Sequence, residues 1–266
     1  MTGDRLMIGC CAGSGDIPSL EMTPGLDFIE LPVAKTLMGS PEEFEKLSAV
    51  MERSALAARA VNVFLPATFK VVGPDVSADL LPDYAATALD RARRLGVAVL
   101  VFGSGASRTV PVGFPRERAF DQFEEAVRVV NEHASSRGVT VAVEPLHSEE
   151  TNLLNSVGEA ARFLRERRLD GVRLVADLWH MQCEGEDLSV LDGLGDLVVH
   201  AHVAAAERLA PGQAEDRIEP FLCHLRQSGY RGACSIECKW SDLASELPGA
   251  VTRVREAAAA AGWQTA

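Results

Sequence analysis

"VTVAVEPLHSEETNLLNSVGEAARFLRERRLDGVRLVAD", residues 139–177, carries the architecture of the chain in one repeat. It opens on a run rich in β-branched and small apolar residues, Val139 to Val143, which suits a strand buried on both faces. From Ser156 the apolar positions recur at helical spacing, behind a serine start signal and up to Gly171, where a helix can stop. Val172 to Asp177 then repeats the first pattern. Strand, helix and strand in this order predict a parallel crossover, because no tight turn can join two parallel strands.

The same alternation extends in both directions. Strands are predicted at 6–10, 27–31, 61–65, 97–103, 139–144, 172–177, 197–203 and 233–238. Amphipathic helices are predicted at 41–58, 80–96, 115–138 and 156–171, with a last one over 246–263. Eight such units in 266 residues, about 33 residues each, favour a single (β/α)8 barrel domain over 1–266 rather than an open doubly wound sheet. "FGSGAS" (102–107) lacks the glycine spacing and acidic partner of a dinucleotide loop. The Pro- and Gly-rich patches at 66–82 and 107–116 read as long loops after strands three and four.

Composition removes several classes of function. With 47% hydrophobic residues the chain can bury a sizeable core. A formal charge of −12 argues against nucleic acid, which is bound through surplus Lys and Arg. Apolar runs such as 97–103 and 197–206 are too short to span a bilayer, and the N-terminus lacks the pattern of an export signal. Cys10, Cys11, Cys183, Cys223, Cys234 and Cys238 show no C-x-x-C spacing, and several lie in apolar runs. A soluble cytoplasmic protein, free of membrane partners, is expected.

In such a barrel the active site lies at the C-terminal ends of the strands. Strands five to eight there carry Glu144, Asp177, His202 and Glu237, separated by 33, 25 and 35 residues, each about one strand–helix unit. One acidic residue at a strand end is ordinarily a helix cap or a solvated loop residue, and one strand histidine is ordinarily a core residue. Four converging on one mouth would bury charge at a cost of several kcal/mol without a compensating cation. Three carboxylates and an imidazole form a hard donor set that favours Mn²⁺, Co²⁺ or Mg²⁺, with Zn²⁺ also compatible.

These stretches also carry a resemblance. "VAVEPLHSEETNLLNSV", "VADLWHM", "VHAHVAAAER" and "GYRGACSIECKW" resemble the xylose-isomerase-like TIM-barrel superfamily, in particular its sugar (phosphate) isomerase/epimerase branch, which includes ketose 3-epimerases. "IELPV", "NVFLPATFKVVGPD" and "VVFGSGASRTVPVGFPRERA" resemble less-characterised members of that branch. The resemblance implies that Glu144, Asp177, His202 and Glu237 bind one divalent metal ion. It implies that Glu150 faces the substrate, that His180 and Arg208 hold sugar hydroxyl or carbonyl oxygens, and that the protein is a homodimer. Two positions depart from the pattern: His147-Ser148 stands where many relatives have Asn-Arg, and Ala205 where many have an acidic or small polar residue.

The chemistry expected is metal-dependent isomerisation or epimerisation of a ketose or related keto-sugar. A cation polarising the carbonyl acidifies the neighbouring C–H, and Glu144 and Glu237 on opposite faces remove and return a proton. Return to the same carbon inverts it, and return to the adjacent carbon isomerises aldose and ketose. A keto-sugar or keto-inositol lyase (dehydratase) would use the same metal and bases. An apurinic-endonuclease-like phosphodiesterase would match Asp177 and His180 but needs further histidines on strands three and four, which end in "FLPATF" and "VFGSGAS". A metal-containing barrel that binds a small molecule without turnover is the third rival.

Several single residues have two readings. His147 is either an exposed loop residue or part of the mouth, and Glu30 either approaches the substrate or caps a helix. His200, two residues before His202, shares its face or packs against neighbours. Lys239, Trp240 and Trp179 are candidate rim residues, and His133 and His224 are expected on helix surfaces. Arg208 and Lys70 are the basic candidates near the mouth, so a free sugar or cyclitol is favoured over a phosphorylated one.

Overall fold

Each strand pairs in parallel with its sequence neighbour, and the last returns to the first. The computed structural model describes residues 5–264. In it β1 (Met7–Cys11), β2 (Phe28–Pro32), β3 (Ala57–Asn62), β4 (Val99–Phe102), β5 (Thr140–Val143), β6 (Arg173–Asp177), β7 (Val198–Val203) and β8 (Ala233–Ile236) close into a barrel. Around it run α1 (Ile17–Glu21), α2 (Pro41–Met51), α3 (Leu81–Arg94), α4 (Gly105–Arg108), α5 (Arg116–Ser135), α6 (Val157–Glu166), α7 (Leu178–Cys183), α8 (Ile218–Gln227) and α9 (Leu243–Ala260). Pairing of β1 with β8, from Met7 opposite Ala233 to Cys10 opposite Ile236, rules out the open sheet. No helix among the described residues is long and apolar enough to cross a membrane.

The two-residue period of the strands sorts their side chains. Outward residues such as Leu100, Phe102, Val141, Val143, Leu174 and Ala176 join the main core with the helices. Phe102 meets Phe64 and Phe123 edge-on, with ring centroids 5.2 and 5.4 Å away. Inward residues Val101, Ala142 and Val175 form a separate small cluster inside the barrel. Phe28 fills the space beside them, and Gly9 opposite it is small of necessity, because a Cβ there would overlap the Phe28 ring. Nearer the C-terminal ends the interior turns polar, which is where the site lies.

The local signals at helix starts hold. Ser40 accepts from the Glu43 N–H at 3.2 Å while its own N–H donates to the Glu43 carboxylate at 2.7 Å, a reciprocal capping box that starts α2. Ser156 caps α6 through the Glu159 N–H at 3.1 Å.

The third strand differs from its expected place. "VNVFL" (61–65) predicts a strand and "ALAA" (55–58) the end of a helix, whereas α2 stops at Met51 and β3 runs from Ala57 to Asn62. Alanine's helix propensity yields here to pairing along β2, where Phe28 lies opposite Ala57 and Pro32 opposite Asn62. The chain turns away at Val63, which has φ of 45° and is 42% exposed. Asn62 is therefore the last residue of β3 and stands at the mouth.

Candidate metal centre

Glu144, Asp177, His202 and Glu237 leave four adjacent strand ends and converge on one point. β5 stops at Val143 and β8 at Ile236, so Glu144 and Glu237 are the first residues past their strands, while Asp177 ends β6. Around His202 Nδ1 lie Glu144 Oε1 at 2.9 Å, Glu237 Oε2 at 3.3 Å and Asp177 Oδ2 at 3.6 Å. All four donor atoms fall within 4.8 Å of one another. His202 is fully buried, Asp177 2% and Glu144 6% exposed.

The other ring nitrogen of His202 is committed to Glu30. Glu30 Oε1 lies 3.1 Å from His202 Nε2, and Glu30 Oε2 accepts from the Ser235 hydroxyl at 2.6 Å and lies 2.7 Å from His200 Nε2. Glu30 thus neither approaches the mouth nor caps a helix; it is a fully buried acceptor between two histidines. His200 shares the inward face of β7 with His202, their ring centroids 5.0 Å apart. With Nε2 turned to Glu30, Nδ1 is the His202 nitrogen that faces the three carboxylates.

That arrangement fits a divalent cation. Three carboxylates drawn together in a buried site repel one another unless a positive charge, a cation or a proton taken up by His202, lies among them. Asp177 Oδ2 is buried with no hydrogen-bond partner, while Oδ1 caps α7 through the N–H groups of Trp179 (2.7 Å) and His180 (3.2 Å). Without a metal, burial raises the Glu144 carboxyl, only partly offset by His202. Burial also pushes Asp177 and Glu237 upward, but the neighbouring imidazoles and Arg208 outweigh it and hold both below the usual range. For His202 burial opposes protonation, yet Glu30 and Glu237 prevail and raise it well above the ordinary histidine value.

Arg208 spans the mouth. Its guanidinium donates to Glu237 Oε2 at 2.8 Å and to Glu150 Oε1 at 3.1 Å. Glu207 and Arg208 both adopt left-handed backbone, with φ of 59° and 60°, conformations rarely taken by residues with side chains. The turn is tied down by the Lys239 N–H, which donates to the Arg208 carbonyl at 2.7 Å. His180, 2% exposed, points its Nε2 toward Asp177 Oδ2 from 3.8 Å. His147 is no exposed loop residue: it is 8% exposed and its ring, tilted 25° from that of His180, meets it nitrogen to nitrogen, Nδ1 to Nδ1 at 2.8 Å.

Other expected neighbours lie elsewhere. The Lys70 ammonium donates to the Ala106 carbonyl at 2.8 Å. His224, on α8, pairs with Asp192, and His133 is half-buried on α5. Trp179 sets its edge against His147, and Trp240 is half-buried with Nε1 unpartnered, while Lys239 is exposed.

Four residues that shape the centre escape a reading of the sequence. Asn62 donates from Nδ2 to Glu237 Oε1 at 2.9 Å, but it reads as mid-strand while β3 is placed at 61–65. Ser235, two residues before Glu237, holds Glu30 as described. Gly103 leaves room for Glu144, since a Cβ there would overlap Oε2. Arg108, fully buried with its guanidinium over the Phe123 ring, donates to the Glu144 backbone carbonyl at 2.7 Å. The inward periodicity of β3 and β8 would have found Asn62 and Ser235 once the register was known.

Comparison with known proteins gives the chain's family. The family model described as xylose isomerase-like TIM barrel matches residues 23–264. The 3-dehydro-D-guloside 4-epimerase of Escherichia coli (strain K12) is 28% identical over 139 residues, covering 51% of this chain and 53% of that one. The D-psicose 3-epimerase of Agrobacterium fabrum is 25% identical over 114 residues, covering 42% and 39%. The matched segment thus spans about half or less of these curated relatives. A solved L-ribulose 3-epimerase superposes with a TM-score of 0.83 at 18% identity, over 97% of this chain and 96% of that one, a likeness of fold. With its match running through all but the first strand and the last residues, the chain belongs to the xylose isomerase-like TIM barrel family.

Proposed function

We propose that the protein is a divalent-metal-dependent epimerase or isomerase of a keto-sugar. The observation that carries this reading is the convergence of three carboxylate oxygens on the Nδ1 of a histidine whose Nε2 is already committed, with one of those oxygens, Asp177 Oδ2, buried and unpartnered. The curated relatives named above act on keto-sugars or ketoses, which supports the substrate class.

Glu144, Asp177, His202 and Glu237 would hold the ion, and hard donors favour Mn²⁺, Co²⁺ or Mg²⁺. When bound, the ion supplies Lewis-acid polarisation of the substrate carbonyl. Glu144, just past β5, and Glu237, just past β8, would serve as the proton-transfer pair. One carboxylate takes the proton from the carbon beside the carbonyl, the C–H electron pair enters the enediolate, and the other carboxylate returns a proton from the opposite face. The stereocentre is inverted with no net change in atoms. Asn62 and Arg208 orient Glu237, and Arg208, Glu150 and His180 hold sugar oxygens.

Proton NMR of ketoses, keto-inositols and 3-keto-glycosides in D₂O, with protein plus Mn²⁺ and with protein plus EDTA, tests the reading. Metal-dependent deuterium beside the carbonyl is the expected result, and the co-product distinguishes inversion, isomerisation and elimination. No exchange in any compound would count against turnover. Glu237→Gln is expected to abolish exchange, and unchanged activity in that variant would sink the two-base assignment.

A further inference from the structure

We propose that His147 is a positioning residue: it locks His180 in the tautomer that carries its proton on Nε2, so that His180 offers one N–H donor to a substrate oxygen. The substrate rests on the function proposed above; the tautomer does not.

The hydrogen-bond pattern decides the tautomer. His180 Nδ1 receives the backbone N–H of His147 at 3.2 Å and faces His147 Nδ1 at 2.8 Å. A backbone N–H can only donate, so His180 Nδ1 must carry a lone pair. Contact between two ring nitrogens at 2.8 Å then requires the hydrogen to sit on His147 Nδ1. A neutral imidazole has one N–H, which places that of His180 on Nε2. That atom is buried without a partner and stands 3.8 Å from Asp177 Oδ2. With Asp177 Oδ2 turned to the cation site, the Nε2–H of His180 is left as an unmet donor at its edge, the arrangement a ligand oxygen would complete.

A second metal ion does not explain the pair. His147, Glu150 and His180 do bring donor atoms within 4.8 Å of one another. Two imidazole nitrogens on one tetrahedral zinc, however, lie roughly 3.3 Å apart, given bonds of about 2.0–2.1 Å. The nitrogens here are 2.8 Å apart, and the backbone N–H of His147 points its hydrogen at the same lone pair a cation would need.

Long-range ¹⁵N–¹H NMR of the histidine rings, on the full chain with EDTA, reads the tautomer without any substrate. Wild type is expected to show His180 protonated at Nε2 and bare at Nδ1. His147→Asn places an amide N–H where the imidazole Nδ1–H lies and should keep both that pattern and activity. His147→Ala keeps the backbone donor to His180 Nδ1 but removes the side-chain one, so its spectrum should show mixed His180 tautomers and kcat/KM should fall by on the order of 10- to 100-fold, as when a metal-ligating histidine loses its partner, with Mn²⁺ affinity unchanged. A proton on His180 Nδ1 in wild type, or wild-type kcat/KM in His147→Ala, would overturn the proposal. If wild type shows no turnover at all, the keto-sugar reading fails, and the spectrum alone decides the tautomer.

Discussion

Gly103 illustrates how closely single residues are matched to the centre. It is the first residue past β4, and its missing side chain is the room that Glu144 Oε2 occupies. Gly103→Ala needs no unusual backbone, so the added methyl group should displace the carboxylate while the barrel stays folded. Mn²⁺ affinity is expected to fall by at least about tenfold, in line with losses when a ligand's support is disturbed. Titration monitored by electron paramagnetic resonance would show it, and wild-type affinity would mean that Glu144 is not a ligand. At this scale the sequence was informative about charged residues and nearly silent about neutral ones. Glu144, Asp177, His202 and Glu237 stand out because carboxylates and imidazole at strand ends are costly to bury. Asn62, Ser235 and Gly103 carry no such cost, so their roles appear only when their neighbours are known.

Among the elements, those with capping signals and strong periodicity were legible, and the one with conflicting local preferences was not. α2 and α6 begin where the sequence predicts, each at a serine cap, because a cap is a bond between residues three apart. Ser40→Ala removes the acceptor for the Glu43 N–H and should cost about 1 kcal/mol, lowering Tm by roughly 2–4 °C for a chain of this size. The cap belongs to an exposed helix start, so activity should be unaffected. A drop in activity beyond the change in folded fraction would show that α2 bears on the site. β3, by contrast, is alanine-rich at its start and β-branched past its end, so local propensity and tertiary pairing disagree there. Pairing with β2 prevails and brings Asn62 beside Glu237.

For the whole molecule, the barrel holds carboxylates on four different strands or strand ends around two histidines, a concentration of charge that a bound cation would offset. A ligand that binds only the folded chain stabilises it by about 2.7 kcal/mol when free at 100 times its Kd. Mn²⁺ is therefore expected to raise Tm by several degrees over the EDTA-treated protein, and Asp177→Asn with Glu144→Gln should remove the rise. Equal Tm with and without Mn²⁺, Co²⁺, Mg²⁺ or Zn²⁺ would contradict a metal centre. The sequence by itself determined the eight-unit parallel barrel, because strand and helix periods are local properties repeated along the chain. It also determined which charged residues lie at the strand ends, because closure of the barrel follows from the count. Only the tertiary structure decided that Glu30 sits beneath His202, that Asn62 and Arg208 flank Glu237, and that His147 faces His180. Those pairings join residues from about 30 to 175 positions apart, and their distances depend on barrel register and loop path, which no local pattern encodes.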